Sequence, residues 1–448
     1  MSRVYLLEKG YTYEKNQTLI NKIKSSVEDG EFISRHKRLE QDFTRERMLD
    51  FKTLVLLMLN KGTRSLQLQM NSSLPKLAKA KATVDKSAYS RARHKLRHTA
   101  FIELNQTAVI KTMYGDGDYD RWHGHRVLAI DGSKIFLPEN SVTTEEFGTI
   151  PYTYPQKDIE GEHVFATASV MYDVLNGISL DARLEPAKTY EVNLAQQHLM
   201  YTEDNDLVIY DRGYCSFRMM ALAAGAKGDF LIRARTKSFV VASKMLAGKG
   251  SDDVTVDIKA SKNIRKAIGL EGLPTKLTVR FVRVKLDSGE YEVLATSLTD
   301  QSKYPLQYFK DLYYLRWGIE TFYGTLKNRL NLENFSGYSP EAIRQDFYAT
   351  IFLSGVESIL TLDAEATLAK HKASQPKKVN KAVAFNIIKE RAFEIFYSKQ
   401  SSDKQLKQLT ELFITSPTVV RKDRKTPRIE NSSRQVLSYY KRTHKVVF

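Results

Sequence analysis

Residues 313–327 read YYLRWGIETFYGTLK, and this stretch predicts an amphipathic helix with an unusual polar face. An α-helix turns about 100° per residue, so Tyr313, Arg316, Glu320 and Lys327 fall within about 60° of one another. One carboxylate, two cations and a phenol on a single face suit a metal ion held against a phosphate backbone. The opposite stripe, which we expect to face the core, consists of Leu315, Ile319, Phe322 and Leu326.

Two further residues border this polar face. Trp317 lies beside the charges rather than in the apolar stripe, and Gly324 leaves room where a side chain would stand. The alternative interpretation is an ordinary solvated helix, in which Arg316 and Glu320 form an i,i+4 ion pair and nothing more. Partner carboxylates elsewhere in the chain decide between the two interpretations.

Two aspartates follow predicted buried strands. Asp131 comes after residues 127–130 (VLAI) and Asp211 after residues 207–210 (LVIY). Ligands bind at strand ends in open α/β sheets, although an aspartate there is also a common turn former or helix cap. Together with Glu320, the two aspartates make three carboxylates in one domain. A set of oxygen ligands without cysteine or a histidine motif suits Mg²⁺ or Mn²⁺ rather than zinc.

Charge indicates a polyanionic partner. The 448 residues include 69 Lys+Arg and 52 Asp+Glu, which gives a net charge of +17 and a pI near 9.5. A protein of this charge is biased toward nucleic acid. Part of the excess lies in residues 421–448, a segment of net charge +7 that either contacts DNA or is a solubilising tail.

The remaining composition places the protein in the cell. Cys215 is the only cysteine, which excludes a disulfide within one chain and fits a reducing cytoplasm. The N-terminus does not read as a signal peptide, and no window approaches the ~18 uninterrupted apolar residues of a membrane span. We therefore expect a soluble cytoplasmic protein with no membrane partner.

A basic stretch in the first hundred residues is the candidate duplex reader. Residues 76–97 contain eight basic side chains and one acid within a predicted helix–turn–helix array. Arg91, Arg93 and Lys95 are the candidate DNA contacts. The alternative is the basic exterior of an ordinary helical bundle.

Hydrophobic periodicity divides the chain into five regions. Residues 1–120 are predicted to be helical, and residues 121–235 alternate strands and helices in the manner of a mixed α/β sheet. Residues 236–300 form a β-rich insertion, residues 301–345 contain the helix described above, and residues 346–448 are helical and basic.

At this point the chain resembles a known family. Tyr313, Arg316, Glu320 and Lys327 match the Tyr-x2-Arg-x3-Glu-x6-Lys signature of bacterial insertion-sequence transposases of the DDE type (the YREK group). The segments AIDG at 129–132 and YDRGY at 210–214 are similar to the first-Asp and second-Asp motifs of that family. The resemblance covers about residues 126–337.

The resemblance implies a fold and a catalytic set. The fold is a ribonuclease H-like mixed-sheet catalytic core with a β-rich insertion, flanked by helical N- and C-terminal regions. Asp131, Asp211 and Glu320 are the implied catalytic residues, and they hold two divalent ions, Mg²⁺ with Mn²⁺ as a substitute.

It also implies contacts with DNA. Arg316, Lys327 and Tyr313 meet phosphates, and Trp317 stacks on an unpaired base unless it is a structural residue at a domain seam. Arg212 is either a phosphate contact or half of a local ion pair.

The implied function is cut-and-paste transposition. The protein binds terminal inverted repeats in double-stranded DNA, cleaves there and joins the ends to target DNA, as a homodimer in a synaptic complex within the bacterial nucleoid. Two alternatives stay open: a metal-dependent nuclease of the same fold that does not join ends, and a catalytically silent DNA-binding repressor.

Overall fold

The computed structural model describes residues 13–45, 47–62, 65–76, 84–154, 159–370, 375–397 and 403–420. Over these ranges the chain is a mixed α/β protein with one large sheet and many helices, which confirms the expected fold class at that level. The basic segment 421–448 and the basic residues Lys79 and Lys81 lie outside the described residues.

The chain is helical before the sheet begins. Aspartates cap three of these helices, since Asp29, Asp50 and Asp85 accept hydrogen bonds from backbone N–H groups of the first turns. The helices are α1 (Tyr13–Glu28), α2 (Gly30–His36), α3 (Phe51–Leu59), α4 (Leu66–Ser73), α5 (Lys86–Arg93), α6 (Thr99–Leu104) and α7 (Lys111–Tyr114), with a π-helical stretch over Asn105–Ile110 between the last two.

The sheet is built from strands in two consecutive parts of the chain. The first part contains β1 (Arg126–Phe136), α8 (Ser141–Phe147), β2 (Thr149–Tyr154), β3 (Ile159–Asp173), β4 (Ile178–Pro186), α9 (Glu191–His198), β5 (Asp206–Tyr210), α10 (Phe217–Gly225) and β6 (Asp229–Arg233). The second part contains α11 (Val240–Leu246), β7 (Asp253–Lys259), α12 (Lys262–Leu270), β8 (Lys276–Lys285) and β9 (Tyr291–Thr296).

The last part of the chain returns to helices. It contains α13 (Tyr308–Tyr314), α14 (Trp317–Asn328), α15 (Pro340–Leu360), α16 (Leu362–Lys370), α17 (Lys381–Tyr397) and α18 (Asp403–Thr415), with a small two-stranded sheet formed by β10 (Lys377–Lys378) and β11 (Thr418–Val419).

Strand order determines where a ligand can bind. The large sheet has nine strands, and its main path runs β2-β3-β1-β5-β6-β9-β8-β7, with β4 paired to β3. The pairs β1–β5 and β5–β6 are parallel, whereas β1 pairs with β3 in the antiparallel sense. Because β1 and β5 are parallel, their carboxyl ends meet at the same edge of the sheet.

The segment predicted as a β-rich insertion does not form a sheet of its own. Its strands β7, β8 and β9 continue the large sheet, because β9 pairs with β6 through Leu231, Ile232 and Arg233. The segment also contains the helices α11 and α12. Periodicity predicts strands in this segment but carries no information about which edge of the large sheet they join.

Helices cover both faces of the sheet. Leu128 and Ile130 of β1 pack in a core that includes α9 and α10. Ala129 points to the other face, where its core includes Ile319 and Leu326 of α14. The alternation of neighbouring residues along β1 thus places α9 and α14 on opposite sides of the same strand.

The helical regions at the two ends of the chain share a core. Leu54 of α3 and Phe101 of α6 are buried in the same cluster as Phe347 of α15 and Phe385 of α17. The two regions are more than two hundred residues apart in the sequence, but their apolar side chains pack in one core.

No single helix in the described part of the chain is long and apolar enough to cross a membrane. The bent pair α15–α16 meets the length and composition criteria only when its two helices are taken together. Most of α15 is buried inside the protein.

Candidate active site

Two of the predicted catalytic acids occupy neighbouring positions at the carboxyl end of β5, where its pairing with β1 stops. The parallel register pairs Ile130 with Tyr210, so Asp131 and Asp211 each come one residue after the last pair. The expectation that Asp131 ends its strand is wrong. β1 continues to Phe136, because β3 goes on pairing with it after β5 has ended.

The third acid is carried by a helix that is shorter than predicted. The sequence predicts one helix over residues 313–327, whereas the structure has α13 ending at Tyr314 and α14 beginning at Trp317. At the junction the N–H groups of Arg316 and Gly318 bond to carbonyls three residues back, which tightens the turn. Glu320 lies in the first turn of α14.

Arg316 links the acids. Its Nη2 donates a 2.6 Å hydrogen bond to Oε1 of Glu320, and its Nη1 lies 3.7 Å from Oδ2 of Asp131. The side chain is buried, and its Nε has no hydrogen-bond partner among the described residues. The Asp211 carboxylate also favours the charged form of Arg316. One guanidinium is therefore the common counter-charge of Asp131, Asp211 and Glu320.

Asp131 is in a poorly solvated position. Burial raises the pKa of Asp131 to about 6, although the N–H of Gly132 and the charge of Arg316 both favour the carboxylate. The charges of Glu191 and Asp211 add to the increase. Gly132 donates to Oδ1 of Asp131 at 2.9 Å. A half-buried acid with two like charges nearby is suited to bind a cation.

Tyr313 holds the second acid. Its phenol O–H donates to Oδ1 of Asp211 at 3.3 Å, and the ring is buried at the end of α13. Burial is the largest cause of the raised pKa of Tyr313, so the phenol is a neutral donor. The signature tyrosine therefore contacts an acid of the site directly.

The predicted DNA contacts near the acids differ in accessibility. Trp317 is 40% exposed, with the Arg316 guanidinium 4.8 Å from its ring centroid, so it is not a buried seam residue. Arg212 is exposed, and no hydrogen bond or ion pair of its guanidinium joins it to the described residues. Both side chains are available to a ligand at this edge.

Lys327 points into the protein. Its Nζ donates a 2.7 Å hydrogen bond to the carbonyl of Lys134 in β1 and lies 3.7 Å from Oε1 of Glu333. Its side chain is 13% exposed. In this conformation the signature lysine ties α14 to β1, so a contact with phosphate stays a prediction.

The candidate contacts in the N-terminal region separate into two groups. Arg91 is exposed, and Lys95 lies 3.8 Å from Oδ1 of Asp42. These two side chains line a cavity of about 520 Å³ together with Arg45 and Arg47. Four basic side chains of this region therefore line one cavity.

Arg93 requires a correction. It is 4% exposed, its Nε donates to Gln345, and its Nη2 forms a 2.7 Å ion pair with Asp346. Ser336 and the carbonyl of Ala342 accept its remaining hydrogen bonds. Arg93 therefore joins α5 to α15 inside the protein and is not placed to contact DNA. A run of basic residues does not reveal which of its members has a buried acid for a partner.

The donor set fits a hard divalent cation, but the carboxylates are not gathered around one point. The candidate ligands are oxygens alone, which suits Mg²⁺ or Mn²⁺. In the described ranges, no group of three or more His, Cys, Asp or Glu side chains is arranged to hold a metal ion. The Glu320 carboxylate instead accepts a hydrogen bond from Arg316.

One further acid lies at this edge, and its position here was not predicted from the sequence. A Cβ on Gly132 would lie 2.7 Å from the carboxyl carbon of Glu191, the first residue of α9. Nothing in the local sequence around Glu191 separates it from an ordinary acid at a helix start. Its position depends on how α9 packs against β1.

Comparison with known proteins places this geometry in a family. The model of the family described as "Transposase DDE domain" matches residues 122–354, just over half of the chain. This chain belongs to the transposase DDE domain family. The match contains Asp131, Asp211 and Glu320, together with all of the strands of the large sheet.

Two curated relatives are transposases by name. The chain is 27% identical over 276 residues to the transposase InsG for insertion sequence element IS4 of Escherichia coli (strain K12), which covers 59% of this chain and 58% of the relative. It is 28% identical over 151 residues to the putative transposase y4zB of Sinorhizobium fredii (strain NBRC 101917 / NGR234), covering 33% and 41%. The matches span between two fifths and three fifths of these relatives' lengths.

One solved structure with a weak likeness is a synaptic complex of the piggyBac transposase with hairpin DNA, determined by cryo-electron microscopy. The superposition covers 91% of this chain and 84% of that chain, with a TM-score of 0.39 and 11% sequence identity. A superposition this loose does not establish a shared fold.

Proposed function

We propose that this protein is a DNA transposase of the YREK group, which cuts DNA at the terminal inverted repeats of an insertion element and joins the ends to target DNA. Family membership supports a transposase. The single observation that carries the catalytic part is the shared guanidinium of Arg316. It lies against Glu320 and Asp131 and is electrostatically coupled to Asp211.

The catalytic roles follow from the contacts of these side chains. Asp131, Asp211 and Glu320 would hold Mg²⁺ or Mn²⁺. When bound, the divalent ions would lower the barrier for water, and later for the freed 3′-OH, to displace an oxygen at phosphorus. Tyr313 orients Asp211 through its phenol hydrogen bond. Arg316, which neutralises the acids here, becomes available to a phosphate once a cation takes over that charge.

Contacts with DNA extend outward from the acids. Arg212 and Trp317 are exposed at the same edge, where a guanidinium meets a phosphate and an indole stacks on an unpaired base. Arg91 and Lys95 would bind the duplex away from the cleaved bond, with Arg45 and Arg47 beside them. The net charge of +17 supports DNA as the polyanion.

The fold and the assembly belong to the same proposal. The strands β4-β3-β1-β5-β6, in which three antiparallel strands are followed by two parallel ones, would be the ribonuclease H-like core. A homodimer would hold the two ends of the element together in a synaptic complex, because joining both ends to one target requires two active sites.

The test is cleavage of the protein's own element ends. Plasmids carrying the DNA that flanks the gene are incubated with purified protein and Mg²⁺, and strand breaks are mapped beside those produced by Glu320→Gln. We expect breaks at paired inverted repeats, followed by joining to new DNA. The Glu320→Gln protein should bind the same ends and lose cleavage by about a hundredfold or more.

Other outcomes of this experiment identify the alternatives. Metal-dependent breaks without joining would make the protein a nuclease. Tight and specific binding without cleavage in Mg²⁺ or Mn²⁺ would make it a repressor. Equal cleavage by the wild-type protein and Glu320→Gln would remove Glu320 from the site.

A further inference from the structure

Gly132 provides space rather than a turn. It lies inside β1, where it pairs with Ser169 of β3, and its backbone is not in the left-handed region that favours glycine. A Cβ at this position would lie 2.7 Å from Cδ and 2.8 Å from Oε1 of Glu191. Contacts this short do not occur, so any larger residue would displace the Glu191 carboxylate. The glycine leaves room for an acid of α9 that comes 59 residues later in the chain.

Glu191 is held at this place by a rigid helix. At the other end of α9, His198 is fully buried and joins two strands of the sheet. Its Nε2 bonds with Oγ of Ser169 at 2.9 Å, and its Nδ1 bonds with Oδ2 of Asp181 at 2.8 Å. Ser169 and His198 are buried, so this Ser-His-Asp arrangement anchors the helix and does not meet solvent.

The Glu191 carboxylate lies against Gly132 without a charged partner of its own among the described residues. In the described part of the chain it has no hydrogen bond and no ion pair, and its charge helps to raise the pKa of Asp131. Glu191 and Lys134 interact electrostatically, but the Nζ of Lys134 is engaged by Oγ1 of Thr167 and the carbonyl of Ala187. A helix start favours an acid, but it does not explain a second acid placed beside Asp131.

A buried hydroxyl marks the same position independently. The phenol O–H of Tyr214 is buried and has no hydrogen-bond partner among the described residues. The charges of Asp131 and Glu191 both act on this phenol. Buried hydroxyls are almost always satisfied, so an unpaired donor in the field of two carboxylates indicates a missing polar ligand.

The sheet is open at this edge. β5 pairs with β1 only as far as Ile130, so the β5 side of β1 is unpaired beyond that residue. Side chains from the α9 face and the α14 face can therefore meet there. Asp131 is reached by Arg316 from one side, and the Gly132 backbone is contacted by Glu191 from the other.

We propose that Glu191 is a fourth carboxylate ligand of the divalent cations that this site binds, beside Asp131, and that Gly132 and Tyr214 complete its setting. The inference rests on the proposed function, because it assigns a ligand to the same cation site. The bound ion would draw together two carboxylates that otherwise repel, and its hydration shell would satisfy the Tyr214 hydroxyl.

The experiment measures Mn²⁺ binding by the full-length protein without DNA, using the electron paramagnetic resonance signal of free Mn²⁺. Four proteins are compared: wild type, Glu191→Gln, Gly132→Ala and, as the control, Gly269→Ala in α12. Gly132→Ala keeps all four acids and only displaces Glu191. A Cβ at Gly269 meets nothing within 4 Å, and α12 carries none of the four acids, so Gly269→Ala should bind Mn²⁺ like the wild type. Thermal unfolding of each variant verifies that it is folded.

We expect Glu191→Gln and Gly132→Ala to weaken Mn²⁺ binding by about tenfold or more, with Gly269→Ala unchanged. A Glu191→Cys protein should bind Cd²⁺ with a thiolate-to-metal absorption band that the wild type, whose only cysteine is Cys215, lacks, since thiolates prefer soft metals. A purely structural glutamate would not produce that band. The band also keeps the test decisive if either of the first two variants unfolds.

Contrary results separate the inference from the proposed function. Wild-type Mn²⁺ affinity and stoichiometry in Glu191→Gln, or no Cd²⁺ band in a folded Glu191→Cys protein, would overturn the inference while leaving cleavage and joining intact. If Asp131→Asn and Asp211→Asn also bind Mn²⁺ normally, and the wild type cleaves no element ends, the proposed function fails as well.

Discussion

Nη2 of Arg316 donates a hydrogen bond to Oε1 of Glu320 at 2.6 Å, one helical turn away. The same guanidinium lies 3.7 Å from Asp131, so a single cation compensates acids that come from a strand and a helix. A metal ion bound by these acids has to take over the charge that Arg316 now supplies. If the proposed cation binds here, it and Arg316 would compete for Glu320, and this competition is measurable.

Replacing Arg316 with methionine should destabilise the metal-free protein and increase its response to metal. Loss of a hydrogen bond to a charged group costs about 1.5–3 kcal/mol, and the acids would then repel without compensation. We expect a lower Tm in EDTA and a larger rise in Tm on adding Mn²⁺ than in the wild type. Arg212→Met is the control, since Arg212 is exposed and should change neither value. Equal Mn²⁺ responses in all three proteins would disprove the competition.

Replacing Trp317 tests whether the exposed indole stacks on a DNA base. Replacement by alanine removes a side chain that is 40% exposed, so stability should change by about 1 kcal/mol or less. Stacking on a base contributes about 1–3 kcal/mol, so cleavage at element ends should fall about tenfold to a hundredfold. The readouts are Tm, cleavage rate and the fluorescence of 2-aminopurine placed at the cleaved end. Tyr314→Ala, which removes a ring 55% exposed on α13, is the matched variant.

Two outcomes for Trp317 have different meanings. A large loss of Tm with normal cleavage would make the tryptophan structural. A loss of cleavage shared equally by Tyr314→Ala would show that the whole junction between α13 and α14 matters rather than the indole.

Arg93 and Arg91 should separate stability from DNA binding. Arg93→Met leaves Asp346 buried with its partner removed, and breaking a buried ion pair in this way costs about 3–5 kcal/mol. Arg91→Met should leave stability within about 0.5 kcal/mol and weaken DNA binding, with a salt dependence reduced by about one unit in slope. Urea unfolding and DNA titrations at several salt concentrations measure both effects. Arg93→Met with wild-type stability would contradict the structural role found here.

Lys389 should make stability depend on alkaline pH. Burial, with the charge of Lys61 as a smaller cause, lowers the pKa of Lys389 from 10.5 to about 8. Between these values the unfolded chain binds the proton more tightly than the folded one, so this group makes stability rise with pH. Its penalty is complete below about pH 8 and is relieved above about pH 10.5.

The measurement is the free energy of unfolding from urea titrations between pH 7.5 and 10.5, within the window given by these pKa values. Lys389→Met should be more stable than the wild type at the lower end, and the difference should shrink as pH rises. Lys404→Met is the control: Lys404 is exposed on α18, so this variant should show no such trend. A constant difference across the range would show that Lys389 is not desolvated in the folded protein.

Local pattern was sufficient for most features of the elements that carry the predicted catalytic acids. The run at 207–210 and the periodicity of the signature helix are properties of neighbouring residues, and they place Asp211 at a strand end and Ile319 in the core. The break before Trp317 was missed, because every residue there keeps helical backbone angles and only the hydrogen-bond spacing changes.

The sequence by itself determined the alternation of strands and helices, the charged face of α14 and the positions of the three signature acids, since these depend on spacing along the chain. Only the tertiary structure decided which charges are buried and with whom. Arg93 forms an ion pair with Asp346, and Lys327 donates a hydrogen bond to the carbonyl of Lys134. The Glu191 carboxylate lies against Gly132. Spacing defines the face a side chain occupies, but its partner comes from distant chain segments, and burial beside that partner sets its charge and its chemistry.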